Sequence, residues 1–206
     1  MADFTVMSII RHRLLTDGEG VTTLVGLSGC PLKCKYCINE KQLHSNREKF
    51  VVCSPIDLAA NIMQDYCYFV ASGGGVTFGG GESLLHAEAI HEIRKLLPED
   101  VSINVETSLN VPREFLDIVI GDITEFIIDI KDADPNIYCA YTGVSAQKAY
   151  DNLKYLAQHN LQDKCKIRIP LIPDFNTKED LLRTEMFVRS LGFGNTEIFD
   201  YVIREQ

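Results

Sequence analysis

The chain has 206 residues, of which 46% are hydrophobic and 24% charged, and its formal net charge is −9 at pH 7. This length suits one hydrophobic core, so we expect residues 1–206 to form a single domain. The negative charge argues against nucleic acid as a partner, because binding to phosphates needs a basic surface. The apolar runs are too short to cross a membrane, and the N-terminus lacks the pattern of a secretion signal. We therefore expect a cytoplasmic protein with no membrane partner, monomeric on its own.

Strand and helix signals alternate along the chain. The first predicted strand covers residues 21–27, and a capping serine followed by proline starts the first helix, which covers residues 54–69. Later β-branched or apolar runs predict strands at 75–78, 102–106, 126–130, 166–170 and 197–202. Helical periodicity and stop signals predict helices at 84–97, 112–119, 146–158 and 178–191.

Six strands interleaved with five helices are typical of a parallel β/α architecture. A closed eight-fold barrel needs about 250 residues, so we predict a partial (β/α)6 barrel. The sequence stops at Gln206, just after the sixth strand, and we expect the barrel to be open at its C-terminal side. The carboxyl ends of parallel strands meet at one edge. Because polar or glycine-rich segments follow four of these strands, we expect a functional site there.

Three cysteines follow the first predicted strand, at Cys30, Cys34 and Cys37. A [4Fe–4S] cluster normally takes four thiolates, so three of them leave one iron open to a small molecule. This spacing favours a cluster of that kind. Lys33 and Lys35 lie between the cysteines, where we expect them to offset the negative charge of a thiolate-ligated cluster.

A structural zinc site is the alternative for these cysteines. It needs a fourth nitrogen or sulfur donor, and the nearest candidates are His44 and Cys53, at spacings that match no common zinc pattern. The cysteines outside the motif lie far apart in hydrophobic stretches and fit reduced thiols of a reducing compartment: Cys53, Cys67, Cys139 and Cys165.

A glycine-rich segment, residues 73–82, surrounds the second predicted strand. Glycines at a strand end let the backbone approach a ligand closely. The segment matches no phosphate-binding loop pattern. The alternative is a flexible turn without a ligand, but glycines on both sides of one buried strand favour a binding role.

An acid and a base, Asp129 and Lys131, end the fourth predicted strand, and residues two apart share a face. A solvated ion pair is the alternative, and such pairs contribute little to stability. We expect the pair to face the site, with Lys131 binding a ligand carboxylate and Asp129 an amine, hydroxyl or cation. Glu106, Thr107 and Ser108 supply further oxygen ligands nearby.

These motifs resemble the radical S-adenosylmethionine (SAM) enzymes, whose cysteine motif is similar to the one here, with Tyr36 before the last cysteine. Nearly the whole chain is similar to one group of them, the activating enzymes of glycyl radical enzymes. The matching segments are 17–20 ("DGPG"), 72–82 ("SGGGVTxSGGE"), 106–108 ("ETCG" or "DTNG"), 129–131 ("DLK"), 141–144 ("YTGV") and 167–173 ("IRIPLIP").

The resemblance implies a set of site residues. Cys30, Cys34 and Cys37 would ligate a [4Fe–4S] cluster whose open iron chelates SAM. The backbone of residues 36–38 would meet the adenine, and Gly80 the methionyl amine. The implied SAM-binding residues are Tyr36, Ile38, Gly80, Gly81, Glu82, Asp129 and Lys131. In some members of the group a monovalent cation lies beside the SAM carboxylate, for which the candidates are Glu106, Thr107 and Asp129.

The resemblance also implies an activity. One electron from a flavodoxin or ferredoxin would drive cleavage of SAM to methionine and a 5′-deoxyadenosyl radical. The radical would then take a hydrogen atom from a glycine of a partner glycyl radical enzyme.

The chain departs from the group's pattern at four places. Glu19 replaces the proline of "DGPG", Ile38 the usual histidine and Ser83 the proline after the glycines, and residues 199–202 lack the SAM-contacting histidine. Three alternatives stay open: a radical SAM enzyme acting on a small molecule or peptide, a 7-deazapurine-forming relative, and a non-catalytic iron–sulfur or zinc protein such as an electron carrier. A carrier would leave Gly80 and Lys131 without a role.

Overall fold

Eight strands form one sheet within residues 3–14, 16–45 and 50–203, the part of the chain that the computed structural model describes. The strands are Phe4–Leu14 (β1), Val21–Leu27 (β2), Val51–Cys53 (β3), Gly75–Gly80 (β4), Ser102–Thr107 (β5), Glu125–Asp129 (β6), Cys165–Leu171 (β7) and Thr196–Asp200 (β8). The side chain of His44, the predicted alternative zinc donor, and the chain end at Gln206 lie outside the described residues.

The strand order is β3-β1-β2-β4-β5-β6-β7-β8. Neighbouring strands are parallel all the way from β2 to β8 in this order. β1 pairs antiparallel with both β2 and β3. The six parallel strands are the six that the sequence predicts. The partial (β/α)6 barrel is therefore confirmed, with β8 at one open edge of the sheet.

Helices follow most strands, as a parallel sheet requires. They are Glu40–Ser45 (α1), Pro55–Ile62 (α2), Tyr66–Ser72 (α3), Ala87–Leu96 (α4), Arg113–Val119 (α5), Pro135–Thr142 (α6), Gln147–Gln158 (α7) and Lys178–Ser190 (α8). The predicted cap of α2 is present, because the Ser54 hydroxyl accepts a hydrogen bond from the Asp57 amide. Throughout the described ranges, no helix has both the length and the apolar composition of a membrane span.

The predicted helix at 54–69 is instead two helices separated by a 3₁₀ turn, Met63–Asp65. Tertiary contacts explain the break. The Asp65 carboxylate is buried and accepts hydrogen bonds from Arg11 on β1 and from the Thr23 hydroxyl on β2, the latter at 2.6 Å. The 3₁₀ turn therefore lies where the buried Asp65 carboxylate binds its partners on β1 and β2.

Four elements were not predicted: β1, β3, α1 and α6. β1 was missed because polar residues interrupt its apolar pattern and its pairing with β2 shifts register between Ile10 and Arg13. α6 carries signals that could have been found, since Asp134 caps its first turn and Gly143 ends it with a φ of 73°.

The hydrophobic core lies between the sheet and the helices. On β5, Ile103 and Val105 are fully buried within this core, whereas Asn104 and Glu106 point to the other face, as strand geometry requires. Asn104 donates to the Thr77 hydroxyl of β4 at 3.3 Å. The inner face of the barrel is thus polar, which is where charged side chains can gather around a ligand.

Candidate active site

The cysteine loop, residues 28–39, follows the carboxyl end of β2 without regular secondary structure. The end of α6 supports it: the Lys33 amide donates to the Thr142 carbonyl at 2.8 Å, and the Lys35 amide to the Tyr141 carbonyl at 3.1 Å. Both acceptors belong to the "YTGV" segment, so this segment positions the loop that bears Cys34 and Cys37.

The thiols of this loop suit iron as a ligand set. Burial raises the pKa of Cys34 to about 11, against a smaller lowering effect of the nearby Lys131 ammonium, and burial also raises the pKa of Cys37. Burial disfavours ionisation of such thiols, and the positive charge of a bound metal favours it. With the exposed Cys30, they make three thiol donors on one short loop, which fits a [4Fe–4S] cluster.

The cysteines are not arranged as ligands of a single ion. Among the described residues, no three His, Cys, Asp or Glu side chains gather in a way that could hold one metal ion. A cubane cluster takes each thiolate at a different iron, so its ligands need not converge on one point. All seven cysteines lie in the described ranges and none is in a disulfide.

The glycine-rich end of β4 lies directly against the cysteine loop. The Gly81 amide donates to the Leu27 carbonyl and the Glu82 amide to the Gly29 carbonyl, both at 2.8 Å. A Cβ atom at Gly81 would lie 2.1 Å from the Gly29 oxygen, so only glycine fits there. Gly80, with a φ of +91°, accepts a hydrogen bond from the Asn39 side chain at 2.6 Å. Close approach of two backbones, rather than flexibility, explains these glycines.

Glu82 is 1% exposed, and its carboxylate joins β4 to the end of β5. It accepts hydrogen bonds from the Thr107 hydroxyl at 2.6 Å, from the Ser108 hydroxyl and amide at 2.7 and 2.9 Å, and from the Leu84 amide at 3.2 Å. Burial nevertheless raises the pKa of Glu82. The Glu82 carboxylate is thus hydrogen-bonded to other groups of the protein. Contact between Glu82 and SAM stays a prediction.

Asp129 and Lys131 are in contact, as their spacing predicts: the Lys131 ammonium lies 2.9 Å from the Asp129 carboxylate. Arg168 of β7 extends the pair, since its guanidinium lies 2.7 Å from Asp129 and 2.9 Å from Glu106. Burial would raise the pKa of Asp129, but Lys131 and Arg168 outweigh it and lower that pKa to about 2. Burial would lower the pKa of Lys131, but Asp129 and Cys34 outweigh it and raise that pKa. All three groups are therefore charged at neutral pH.

Arg168 was not predicted as a site residue. Its signal in the sequence is a single arginine inside the apolar run 167–173. Because Asp129 and Arg168 are register partners on β6 and β7, the two side chains share the inner face of the sheet.

The candidate cation ligands do not surround a free position. The Arg168 guanidinium bridges Glu106 and Asp129, and the Thr107 hydroxyl donates to Glu82. The set as arranged does not fit a monovalent cation, which would have to displace the guanidinium. A cation at Glu106, Thr107 and Asp129 stays a prediction.

Aromatic residues surround the predicted adenine-binding segment. The Tyr36 ring lies 5.8 Å from that of Phe175 and 6.3 Å from that of Tyr141, and its hydroxyl donates to Asp174 at 3.0 Å. The Tyr36 carbonyl accepts a 2.6 Å hydrogen bond from the Tyr201 hydroxyl. The sequence analysis missed this role of Tyr201.

Ile38, by contrast, is 62% exposed. Tyr36 and Cys37 beside it are only partly exposed. Contact of this backbone with adenine stays a prediction.

Comparison with known proteins agrees with this arrangement. A sequence model of the radical SAM superfamily matches residues 24–185, so the chain belongs to that superfamily. Membership implies a [4Fe–4S] cluster and SAM. The cysteine loop, the glycine-rich end of β4 and the Asp129–Lys131 pair all lie within the matched region.

Among individual relatives, the chain is 30% identical to a pyruvate formate-lyase 1-activating enzyme of Escherichia coli K12, over 85% of this chain and 72% of the relative. It is 27% identical to a 4-hydroxyphenylacetate decarboxylase activating enzyme of Clostridioides difficile, over 86% and 74% of the two chains. The crystal structure of Streptococcus suis SuiB matches the fold with a TM-score of 0.64 at 16% identity. That match covers 85% of this chain but only 38% of SuiB.

Proposed function

We propose that this protein is a radical SAM enzyme of the activating type, which installs a glycyl radical on a partner enzyme. The observation that carries the proposal is that three elements meet at the carboxyl ends of the parallel strands: the cysteine loop, the glycine-rich end of β4 and the charged pair at the end of β6. The 30% identity to a pyruvate formate-lyase activating enzyme supports the activating role over other radical SAM activities. The proposal takes residues 1–206 as a single domain.

In this proposal Cys30, Cys34 and Cys37 hold the [4Fe–4S] cluster. When bound, the cluster and SAM would supply the radical chemistry, namely one-electron cleavage of SAM and removal of a hydrogen atom from the partner. The protein provides binding, orientation and electrostatics. A flavodoxin or ferredoxin is the proposed electron donor.

The charged network binds the polar end of SAM. The Lys131 ammonium group acts electrostatically on Cys34 of the cysteine loop, and its side chain is only 12% exposed. A carboxylate bound to it would form a charge-assisted hydrogen bond in a partly desolvated place, where such bonds are strong. Asp129 stays ionised between Lys131 and Arg168 and is the acceptor available for an amine or hydroxyl of the ligand.

The glycines contribute by geometry. Because no side chain projects from Gly80 or Gly81, the end of β4 can lie against both its own chain and a ligand. The fixed backbone of Leu27 and Gly29 holds this end in place, so a SAM molecule would meet a rigid surface. Rigid positioning of a reactive ligand raises reaction rates by reducing the entropy lost in the transition state.

The test combines SAM cleavage with detection of a protein radical. The reconstituted protein, reduced anaerobically with dithionite, should cleave SAM slowly alone and faster with a glycyl radical enzyme such as pyruvate formate-lyase. Electron paramagnetic resonance should then show a glycine-centred radical on the partner. The Cys34→Ala variant is the control and should give no radical.

Two results would contradict the proposal. Steady conversion of a small metabolite without a protein partner would exclude the activating role and leave only radical SAM chemistry. A stable cluster that never cleaves SAM would favour a non-catalytic electron carrier.

A further inference from the structure

The outer surface of the cysteine loop is basic, although the chain as a whole is acidic. Within residues 30–45, the part of this region that the structure describes, three lysines stand against one acidic residue, whereas the whole chain has a net charge of −9. Lys33 and Lys35 are both exposed, and the intervening Cys34 packs against the hydrophobic core. The loop therefore directs the Cys34 side chain inward and the two ammonium groups outward.

The two ammonium groups are available to a partner. Neither Lys33 nor Lys35 makes an ion pair with any described residue, whereas Lys95, Lys131 and Lys166 each contact a carboxylate. Two acids lie nearby: Glu40 is exposed, and Asp174 accepts a hydrogen bond from the Tyr36 hydroxyl. Lys41 adds a third exposed lysine, so the basic character of the surface persists.

Offsetting the charge of a cluster does not account for these lysines. An exposed ammonium group is screened by water and salt, so it acts weakly on a buried sulfur. Lys131 is far less exposed and is the cation that faces Cys34 from inside the barrel. Lys33 and Lys35 are thus left for a role at the surface.

Ile38 gives the surface an apolar contact point beside the lysines, since 62% of it is exposed. Small interfaces with an apolar contact and charged surroundings are typical of transient redox encounters. Opposite charge speeds such encounters by steering the partners together. A donor bound here would lie against the loop that ligates the cluster.

We propose that Lys33, Lys35 and Ile38 form the docking surface for an acidic protein that donates one electron to the cluster. The donor is a small protein with a flavin or an iron–sulfur centre. This inference rests on the proposed function. In the step itself the donor's reduced cofactor loses one electron and the cluster gains it. No bond is formed or broken in that step.

The test reverses the charge of the surface in the reconstituted protein. The K33E/K35E variant should bind oxidised flavodoxin at least about tenfold more weakly in a calorimetric titration. SAM cleavage driven by reduced flavodoxin should fall by at least about tenfold. Cleavage driven by dithionite should stay within about twofold of the wild type, since dithionite needs no docking surface. The K33A/K35A variant should weaken binding in the same direction by a smaller factor.

The matched control is K148E/K154E, which changes the net charge equally at two exposed lysines of α7. It should bind flavodoxin as the wild type does. Raising the salt concentration from about 20 mM to about 300 mM should slow flavodoxin-driven cleavage in the wild type and in this control, but much less in K33E/K35E.

Several results would overturn the proposal. Unchanged flavodoxin binding in K33E/K35E, or equal weakening in the α7 control, would show that no specific surface exists. An equal loss with dithionite would assign the lysines to the cluster itself. A loss confined to glycyl radical formation would assign the surface to the radical-receiving partner. If the wild type cleaves no SAM with dithionite, the proposed function fails first and the docking proposal falls with it.

Discussion

Lys131 connects the chemistry of the cysteine loop to that of the charged strand ends. Its ammonium group pairs with Asp129 at 2.9 Å and acts electrostatically on Cys34, lowering the pKa of that thiol against the effect of burial. Asp129 has a second partner in Arg168, at 2.7 Å. Loss of Lys131 would therefore leave Asp129 paired, so the fold should tolerate the change.

We expect Lys131→Ala to weaken SAM binding while iron content stays the same. The loss of a charge-assisted hydrogen bond in a partly buried site is worth about 1.5–3 kcal/mol, or more than about tenfold in affinity. Equilibrium dialysis of the reconstituted protein with SAM measures this. Lys95→Ala, which removes an exposed partner of Glu92, is the control and should bind SAM normally. Normal SAM binding by the Lys131 variant would mean that the lysine is only a strand-end charge.

Cys34 should be essential for iron. We expect Cys34→Ala to lose most of the roughly four irons per chain that a [4Fe–4S] cluster contains, because the remaining two thiols cannot hold the cubane. Metal analysis after anaerobic reconstitution measures this. Single changes of Cys53, Cys67, Cys139 or Cys165 should leave the iron content intact. Tight zinc binding without iron uptake would instead favour the structural zinc site.

The end of β4 is the element on which the site geometry depends most. The two residues that follow it, Gly81 and Glu82, donate backbone hydrogen bonds of 2.8 Å to Leu27 at the end of β2 and to Gly29 before the first cysteine. This contact requires glycine at 81, where the Cβ atom of any other residue would lie 2.1 Å from the Gly29 oxygen. The strand end and the cysteine loop therefore form one unit.

Gly81→Ala should separate these two elements. We expect the free energy of unfolding of the metal-free protein to fall by about 1–3 kcal/mol, the usual range for overpacking, and cluster assembly to suffer with it. Chemical denaturation measures the first effect and iron content the second. Gly121→Ala is the matched control, because no atom lies within 4 Å of its added carbon, and it should change stability by less than about 0.5 kcal/mol. Equal behaviour of the two variants would contradict this account of the glycine.

At the scale of the whole molecule, Tyr201 links the open edge of the sheet to the cysteine loop. Its hydroxyl donates to the Tyr36 carbonyl across 165 positions of sequence, and its ring lies 6.4 Å from that of Tyr141. The Tyr141 carbonyl in turn accepts a hydrogen bond from the Lys35 amide. The segment after β8 and the end of α6 thus hold the loop together.

Tyr201→Phe should loosen the loop without unfolding the protein. Loss of this hydrogen bond should cost about 1 kcal/mol of unfolding free energy and speed hydrogen exchange at the amides of Lys33 and Lys35. Tyr66→Phe removes a hydroxyl that donates to Asp100 at an exposed position and should leave exchange in the loop unchanged. If the loop amides exchange at the same rate in both variants, Tyr201 does not support the loop.

Secondary structure could be predicted from the sequence at several places where local residue patterns favour it. Residues 21–27 were predicted as a strand and form β2, and Ser54 caps a helix as predicted. The prediction failed at 54–69, because the buried Asp65 binds side chains of two distant strands. It also missed β1, whose polar residues and register shift hide the alternation that marks a strand.

The sequence by itself determined which chemical groups are available: three closely spaced cysteines, glycines at a strand end, and an acid and a base two residues apart. Spacing is a local property, so these groups could be recognised without a structure. Only the tertiary structure decided which charges meet. Arg168 reaches Asp129 and Glu106 across 39 and 62 positions of sequence. Asp129 is its register partner on the neighbouring parallel strand, and Glu106 lies one strand further along the same inner face. Partial burial then makes each charge depend on its partner, since an unpaired charge out of water is unstable.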